Sequence, residues 1–297
     1  MLESKCLFAH LPAAVIRFSG EDHLEFLQGQ GTADLGGEFG LARYDLFLDH
    51  RGNIQGDGFI LHESEESTLL VSYATPAETL VEKFQRHIIA DDVEMETCSE
   101  EYRLLSVPPD ALEAFLSAAG LELPGEGRIL YTGTALAYMG RRLGAGTLDI
   151  LFSGDGAFSI PDGWRDSRDT VAAEELRILA GVPMVPSDLA EGGMNPVEAG
   201  LISPVSFTKG CYLGQEVVAR VHRLGRAPRR MVRLSGTGKT PSVPQELKLS
   251  GQVVGELRSV VTFPDKFSGI GWLKNKVEDG AADFEGNTLQ AESLAQS

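Results

Sequence analysis

Ser206-Phe207-Thr208-Lys209-Gly210-Cys211-Tyr212-Leu213-Gly214-Gln215-Glu216 is the stretch of this 297-residue chain from which its fold and chemistry are best read. It sets a lone cysteine between a lysine and two glycines, directly ahead of a segment expected to start a helix at Gln215. A thiol so placed has a cation and unpaired backbone N–H groups for neighbours, and both favour the thiolate. The other fate of a free cysteine is burial as a small, inert hydrophobe. Lys209 and the glycines Gly210 and Gly214 favour the reactive, partly exposed thiol, whereas Cys6 and Cys98 lie in apolar or strand-like settings and read as structural.

Composition narrows the class. Apolar residues make up 42% of the chain, enough for a proper core, and the length suggests two or three structural units. The three cysteines are odd in number and far apart, which fits neither a disulfide framework nor a zinc site and points to a reducing compartment. Charged residues interrupt the first thirty positions, so no signal peptide or membrane span is expected and the reading is cytoplasmic, with no membrane partner. A net charge of -17 argues against non-specific nucleic-acid binding. Locally the sign reverses: positions 209–233 hold Lys209, Arg220, Arg223, Arg226, Arg229, Arg230 and Arg233 against the single acid Glu216. Such an island either draws an anionic ligand or partner, or is a solvated face paired with nearby carboxylates.

Hydrophobic periodicity predicts strands at 14–18, 44–48, 59–62, 68–73, 93–97 and 103–107. Helices are expected at 21–30, from Pro76 onward with Leu80, Val81, Phe84 and Ile88 at helical spacing, at 110–119 and at 170–180. Strands paired by a hairpin and then alternating with helices describe an α+β unit like a ferredoxin-like domain over roughly 43–160. A glycine- and aspartate-rich tract at 154–169 follows. Beyond Arg230, short strands divided by Gly, Pro, Ser and Asp form the pattern of a small β-barrel or sandwich.

The cysteine run, continued by Val217-Val218-Ala219-Arg220, resembles the K-G-C-Y-x-G-Q-E signature of the YgfZ family of folate-binding proteins, relatives of the aminomethyltransferase, or T-protein, of the glycine cleavage system. Similar correspondences cover 16–20 with 26–30, 52–57, 176–183 and 195–201. The resemblance implies a T-protein-like fold: a folate-binding region over 1–228, with an outer subdomain (1–42 plus 161–228) and a ferredoxin-like subdomain (43–160), then a C-terminal β-barrel over 229–297. It implies a central cavity for tetrahydrofolate or a derivative. The expected role is that of an accessory factor for iron–sulfur proteins or their assembly factors, acting on tRNA modification only indirectly, through iron–sulfur tRNA-modifying enzymes.

The resemblance also suggests roles for particular residues. Asp57 matches an aspartate that faces the reactive folate nitrogen, although an Asp between glycines is also an ordinary turn residue. Glu198 could accept two hydrogen bonds from a pterin edge, or serve as a helix-start acid. Arg220, and beside it Arg223 and Arg226, could hold the glutamate tail of folate. Tyr212 could stack on a pterin ring or pack behind the loop. Two departures alter the pocket: Leu179 stands where many relatives carry a glutamate, and the tryptophans some relatives place near the folate are missing, Trp164 and Trp272 lying elsewhere. Two competing readings are a true tetrahydrofolate-dependent aminomethyltransferase and a tRNA-binding module using the arginine island.

Overall fold

Apolar runs at strand spacing and at helical spacing in the N-terminal hundred residues build β1 (Cys6–His10), β2 (Ala14–Ser19), α1 (His23–Gln30), β3 (Leu41–Leu48), β4 (Ile54–His62), β5 (Ser67–Ser72), α2 (Ala77–Gln85) and β6 (Glu94–Thr97). The middle of the chain adds β7 (Tyr102–Val107), α3 (Leu112–Ala119), β8 (Leu130–Thr132), β9 (Ala135–Met139), β10 (Leu148–Ser153), β11 (Arg165–Ser167), α4 (Thr170–Leu179), α5 (Pro196–Ala199) and α6 (Gln215–Leu224). The remainder is β-structure: β12 (Arg229–Thr237), β13 (Gln245–Leu249), β14 (Gln252–Thr262), β15 (Lys266–Lys274), β16 (Asp283–Phe284), β17 (Asn287–Thr288) and β18 (Gln290–Ser293). This computed structural model describes residues 5–36, 39–154, 158–277, 283–284 and 287–294. Positions 155–157 of the glycine-rich tract and 278–282, 285–286 and 295–297 of the C-terminal unit lie outside the described residues.

The strands fall into three sheets. The first runs β3-β4-β5-β2-β6 with every pair antiparallel. One of its faces packs Phe18, Phe47 and Ile60 against Leu27 of α1 and Leu80 and Phe84 of α2. Phe84 meets the rings of Phe18 and Phe47 edge-on, at 5.5 and 5.0 Å, the favoured geometry for aromatic pairs. The other face, with Val15, Phe59 and Leu69, packs on Leu104, Tyr138 and Leu151 of the second sheet. That sheet runs β11-β1-β7-β10-β9-β8, with β1 and β11 parallel.

The 43–160 stretch therefore supplies β3–β6 to one sheet and β7–β10 to another, and β1 and β2 join them from earlier in the chain. The order β-α-β-β-β-α-β of the first sheet carries one strand more than the ferredoxin-like pattern, and none of its pairs is parallel. The third sheet runs β17-β16-β13-β14-β15-β12-β18, with register shifts after Leu247 and Leu257. No hydrogen-bonded pair closes it among the described residues, which show an antiparallel sheet with two register shifts where a barrel is expected from sequence. A shared core ties the first sheet to the third: Leu46, Leu48 and Ile54 meet Ile178 of α4, Val218 of α6, and Met231 and Ile270 of the third sheet.

Candidate functional site

A cavity of about 830 Å³ opens where the sheets converge. Tyr44 and Phe59 line it from the first sheet, Met139 and Arg141 from the second sheet and the loop after it, Val182 from beyond α4, and Arg233 from the third sheet. Behind Tyr44 lies the buried carboxyl of Asp57. The Tyr44 hydroxyl donates to Asp57 Oδ2 at 2.7 Å, while Thr75 and Ser72 hydroxyls reach Oδ1 at 3.1 and 3.4 Å. The guanidinium carbon of Arg141 stands 4.2 Å from the Tyr44 ring centroid. Burial raises the pKa of Asp57, against the opposing pull of the Tyr44 hydrogen bond and the Arg141 charge.

Asp57 sits mid-strand in β4, so it is not a turn residue. Its neighbours are glycines for want of room: a Cβ on Gly56 would come within 2.8 Å of Leu80, and one on Gly58 within 2.9 Å of the Val71 carbonyl oxygen. The carboxyl opens on a crevice of about 20 Å³, roughly one water molecule, that shares Arg141 and Val182 with the large cavity. Asp57 thus meets the large cavity through Tyr44.

A second buried carboxyl supports the Arg141 loop. Tyr73 donates its hydroxyl to Asp149 and accepts the backbone N–H of Arg141 at 3.2 Å. Ser106 also donates to Asp149, and His10 Nε2 lies 3.0 Å from the Ser106 hydroxyl. Burial pushes Asp149 up to about 6, and burial together with the Arg142 charge pushes His10 down to about 3. Gly140 is required beside this group, because a Cβ there would fall 2.0 Å from Asp149 Oδ2. Neither Asp149 nor the pair Tyr44 and Arg141 carries a sequence signal beyond strand alternation and one of two Arg-Arg dipeptides.

The cysteine loop is elsewhere. Cys211 is exposed, and it is not among the residues lining the cavity. The ammonium of Lys209 is taken up by backbone: it donates to the carbonyls of Gly31, at 2.9 Å, and Ala33, and lies 5.3 Å from the Tyr212 ring centroid. Burial lowers its pKa, which the nearby carboxylates of Asp45 and Asp34 partly offset. Asp45 anchors the same turn, accepting the backbone N–H groups of Thr32 and Ala33 at 2.6 and 2.8 Å. Tyr212 is buried in the shared core and offers no face to a ligand. Gly210 is exposed, and Gly214, at φ +84°, leads into α6 at Gln215; Glu216 in the first turn is exposed too.

Arg220, Arg223 and Arg226 are exposed and do not line the cavity; the cations that line it are Arg43, Arg141 and Arg233, the last paired with Glu292. Glu198 is buried away from it. Asn195 and Glu198 form a capping box at the start of α5, and Arg229 pairs with Glu198 through Nε–H to Oε1 at 2.9 Å. A carboxylate already holding an arginine and a backbone N–H has no free edge for a pterin. Leu179 ends α4, two-fifths exposed, immediately before the cavity residues Ala180, Gly181 and Val182. Cys6 and Cys98 are buried, and burial pushes the Cys98 thiol up to about 11. Among the described residues no three His, Cys, Asp or Glu side chains group as metal ligands, and no helix is long and apolar enough to cross a membrane.

Comparison with known proteins agrees with this architecture. Residues 6–118 match the GCVT N-terminal domain. The iron–sulfur cluster assembly factor IBA57 of Homo sapiens, a mitochondrial protein, is 32% identical over 82% of this chain and 72% of its own length. The tRNA-modifying protein YgfZ of Serratia proteamaculans is 26% identical over 80% of this chain and 73% of its own. Among solved structures, the glycine cleavage system aminomethyltransferase T of Bartonella henselae superimposes with a TM-score of 0.78 over 98% of this chain and 86% of its own, at 20% identity, which establishes the fold.

Proposed function

The chain belongs to the aminomethyltransferase-like family that includes IBA57 and YgfZ, and from that membership we propose that it supports assembly or repair of iron–sulfur proteins while holding a tetrahydrofolate in its central cavity. The observation that carries the folate half is the Tyr44–Asp57 pair at the wall of the 830 Å³ cavity. The residues present fit such a ligand: Tyr44, Phe59 and Met139 form an apolar wall, and Arg43 and Arg141 offer charge to a carboxylate tail. Tetrahydrofolate, when bound, supplies nitrogens that accept or release a one-carbon unit. Asp57 fixes the Tyr44 hydroxyl, which burial keeps protonated, and the carboxyl, whose own pKa burial has raised, is suited to take up or return a ligand's proton.

Cys211 is the group proposed to meet the iron–sulfur client. The common clusters use four protein ligands, so a single exposed thiol acts with ligands from another protein or as a redox-responsive contact. Any effect on tRNA modification would run through iron–sulfur tRNA-modifying enzymes. A reducing compartment such as the cytoplasm suits three free cysteines.

Calorimetry of tetrahydrofolate binding tests the reading. Wild type is expected to bind, Cys211→Ser to bind equally, and Asp57→Ala to bind about tenfold or more weakly, a loss of about 1.4 kcal/mol. In cells lacking the protein, Cys211→Ser should fail to restore iron–sulfur enzyme activity. No binding by wild type would remove the folate, and robust tetrahydrofolate-dependent ammonia release from an aminomethylated carrier protein would replace the accessory role with transferase chemistry.

A further inference from the structure

Of the seven cations of the basic island, Lys209 serves the cysteine loop and Arg233 lines the central cavity, and the other five do neither. Where the chain leaves α6 and enters β12, a second, open cavity of about 510 Å³ forms. Pro228 and the half-buried Trp272 give it apolar walls, and Arg229, Lys274 and Lys276 bring three cations, with Asn275 beside them. No carboxylate lines it among the described residues. Exposed Arg223 and Arg226 extend the positive charge along the preceding chain of a molecule whose net charge is -17.

The cations are not equivalent. Arg229 is fixed in place: its Nε and Nη2 groups donate to Glu198, and Nη2 also donates to the Gly193 carbonyl at 2.7 Å. Its guanidinium carbon lies 5.7 Å from the Trp272 ring centroid, so indole and guanidinium form one continuous wall. Lys274 donates to the Val253 carbonyl at 2.7 Å, and Lys276 is exposed. A flat ring stacks well on indole and guanidinium faces, and a phosphate beside it takes charge-assisted hydrogen bonds from lysine and arginine. An inorganic anion would leave the aromatic wall unused, and a neutral ring would leave the cations unused.

We propose that this cavity binds a nucleoside phosphate, either free or as the end of a single strand, with the base against Trp272 and Arg229 and the phosphate at Lys276. The inference stands apart from the folate reading, because the two cavities share no lining residue.

Tryptophan fluorescence reads the site directly, since the only other tryptophan, Trp164, is buried against Phe115 in the second sheet's core. Adenosine monophosphate should give a saturable quench, with adenosine and inorganic phosphate each binding about tenfold more weakly. By calorimetry, Lys276→Glu, an exposed change, should weaken adenosine monophosphate by a similar factor, and Trp272→Leu should weaken adenosine as well. A 5′-phosphorylated tetranucleotide that binds more tightly than the mononucleotide at low salt, and equally at high salt, identifies a strand end as the source; equal binding throughout identifies the free nucleotide. The proposal is overturned by the absence of a saturable quench, by identical affinities of adenosine and its monophosphate, by an unchanged Lys276→Glu variant, or by competition from tetrahydrofolate, which would place the nucleotide in the central cavity.

Discussion

The ammonium of Lys209 donates to the carbonyl of Gly31 across 2.9 Å, so the cation of the cysteine loop is engaged by the turn that follows the first helix. Its task is to hold the loop down. Lys209→Ala should therefore cost about 1–3 kcal/mol in urea unfolding, the penalty for leaving buried carbonyls unpaired. The alkylation rate of Cys211 at neutral pH should change by no more than about twofold. A tenfold slower rate with unaltered stability would show that the lysine acts on the thiol.

Asp57 accepts hydrogen bonds from three hydroxyls, so its truncation strands those of Tyr44 and Ser72 and leaves Thr75 only the Val185 carbonyl. Asp57→Ala is expected to lose about 1–3 kcal/mol of stability, and Asp57→Asn, which keeps an acceptor oxygen, about 1 kcal/mol or less. Thermal denaturation of the two variants makes the comparison. Equal losses would mean that the carboxyl's charge, and not its acceptor geometry, holds Tyr44.

Glu198 is the most sensitive acid of the set. Its removal takes away the half of the capping box that holds the Asn195 N–H and leaves Arg229 half-buried without its partner, so Glu198→Ala should cost about 3–5 kcal/mol by chemical denaturation. Tetrahydrofolate affinity, measured on protein that is still folded, should stay within about twofold of wild type, a difference of roughly 0.4 kcal/mol. A large affinity loss in a stable variant would return Glu198 to the ligand site.

The His10–Ser106–Asp149 group predicts an unusual pH dependence. His10, ordinarily near 6.5, titrates near 3 in the fold, so its contribution to stability is present above pH 6.5 and is lost as pH falls toward 3. Asp149, ordinarily near 3.8, titrates near 6, so its contribution is present below 3.8 and is lost as pH rises through 6. Between pH 4 and 6 the two slopes oppose. In Asp149→Asn only the histidine slope remains, and stability should climb by about 1.4 kcal/mol per pH unit more steeply than in wild type over that interval. Parallel urea titrations at pH 4.5 and 6 check this; equal pH slopes in the two proteins would sink it.

Local structure was legible where the chain's own periodicity dictates it. Alternation at 14–18 gave β2, Leu80 and Phe84 at helical spacing gave α2, and a helix started at Gln215 as its glycine-flanked approach suggested. Sheet partners were not legible, because β2 with β6 and β1 with β11 join segments whose pairing no local pattern encodes. The site was legible in type more than in direction. Spacing put Lys209 near Cys211 and the resemblance suggested Glu198 as a pterin contact, but where a long side chain points depends on which carbonyls and cations the fold brings to it, here Gly31 and Arg229. Tyr44 read as one more apolar strand position until Asp57 was seen behind its hydroxyl.

Gly214, at φ +84°, abuts the turn that joins β3 to β4: a Cβ there would lie 2.6 Å from the Asp49 carbonyl oxygen and 3.0 Å from Gly52 Cα. With the Lys209 contact, this keys the cysteine loop to two turns made far earlier in the chain. During synthesis those turns leave the ribosome long before the loop that locks onto them. Correct display of the sulfur is thus a property of the finished molecule, and a nascent or broken chain that carries only one of the two pieces has no seat on which to hold it out to a client.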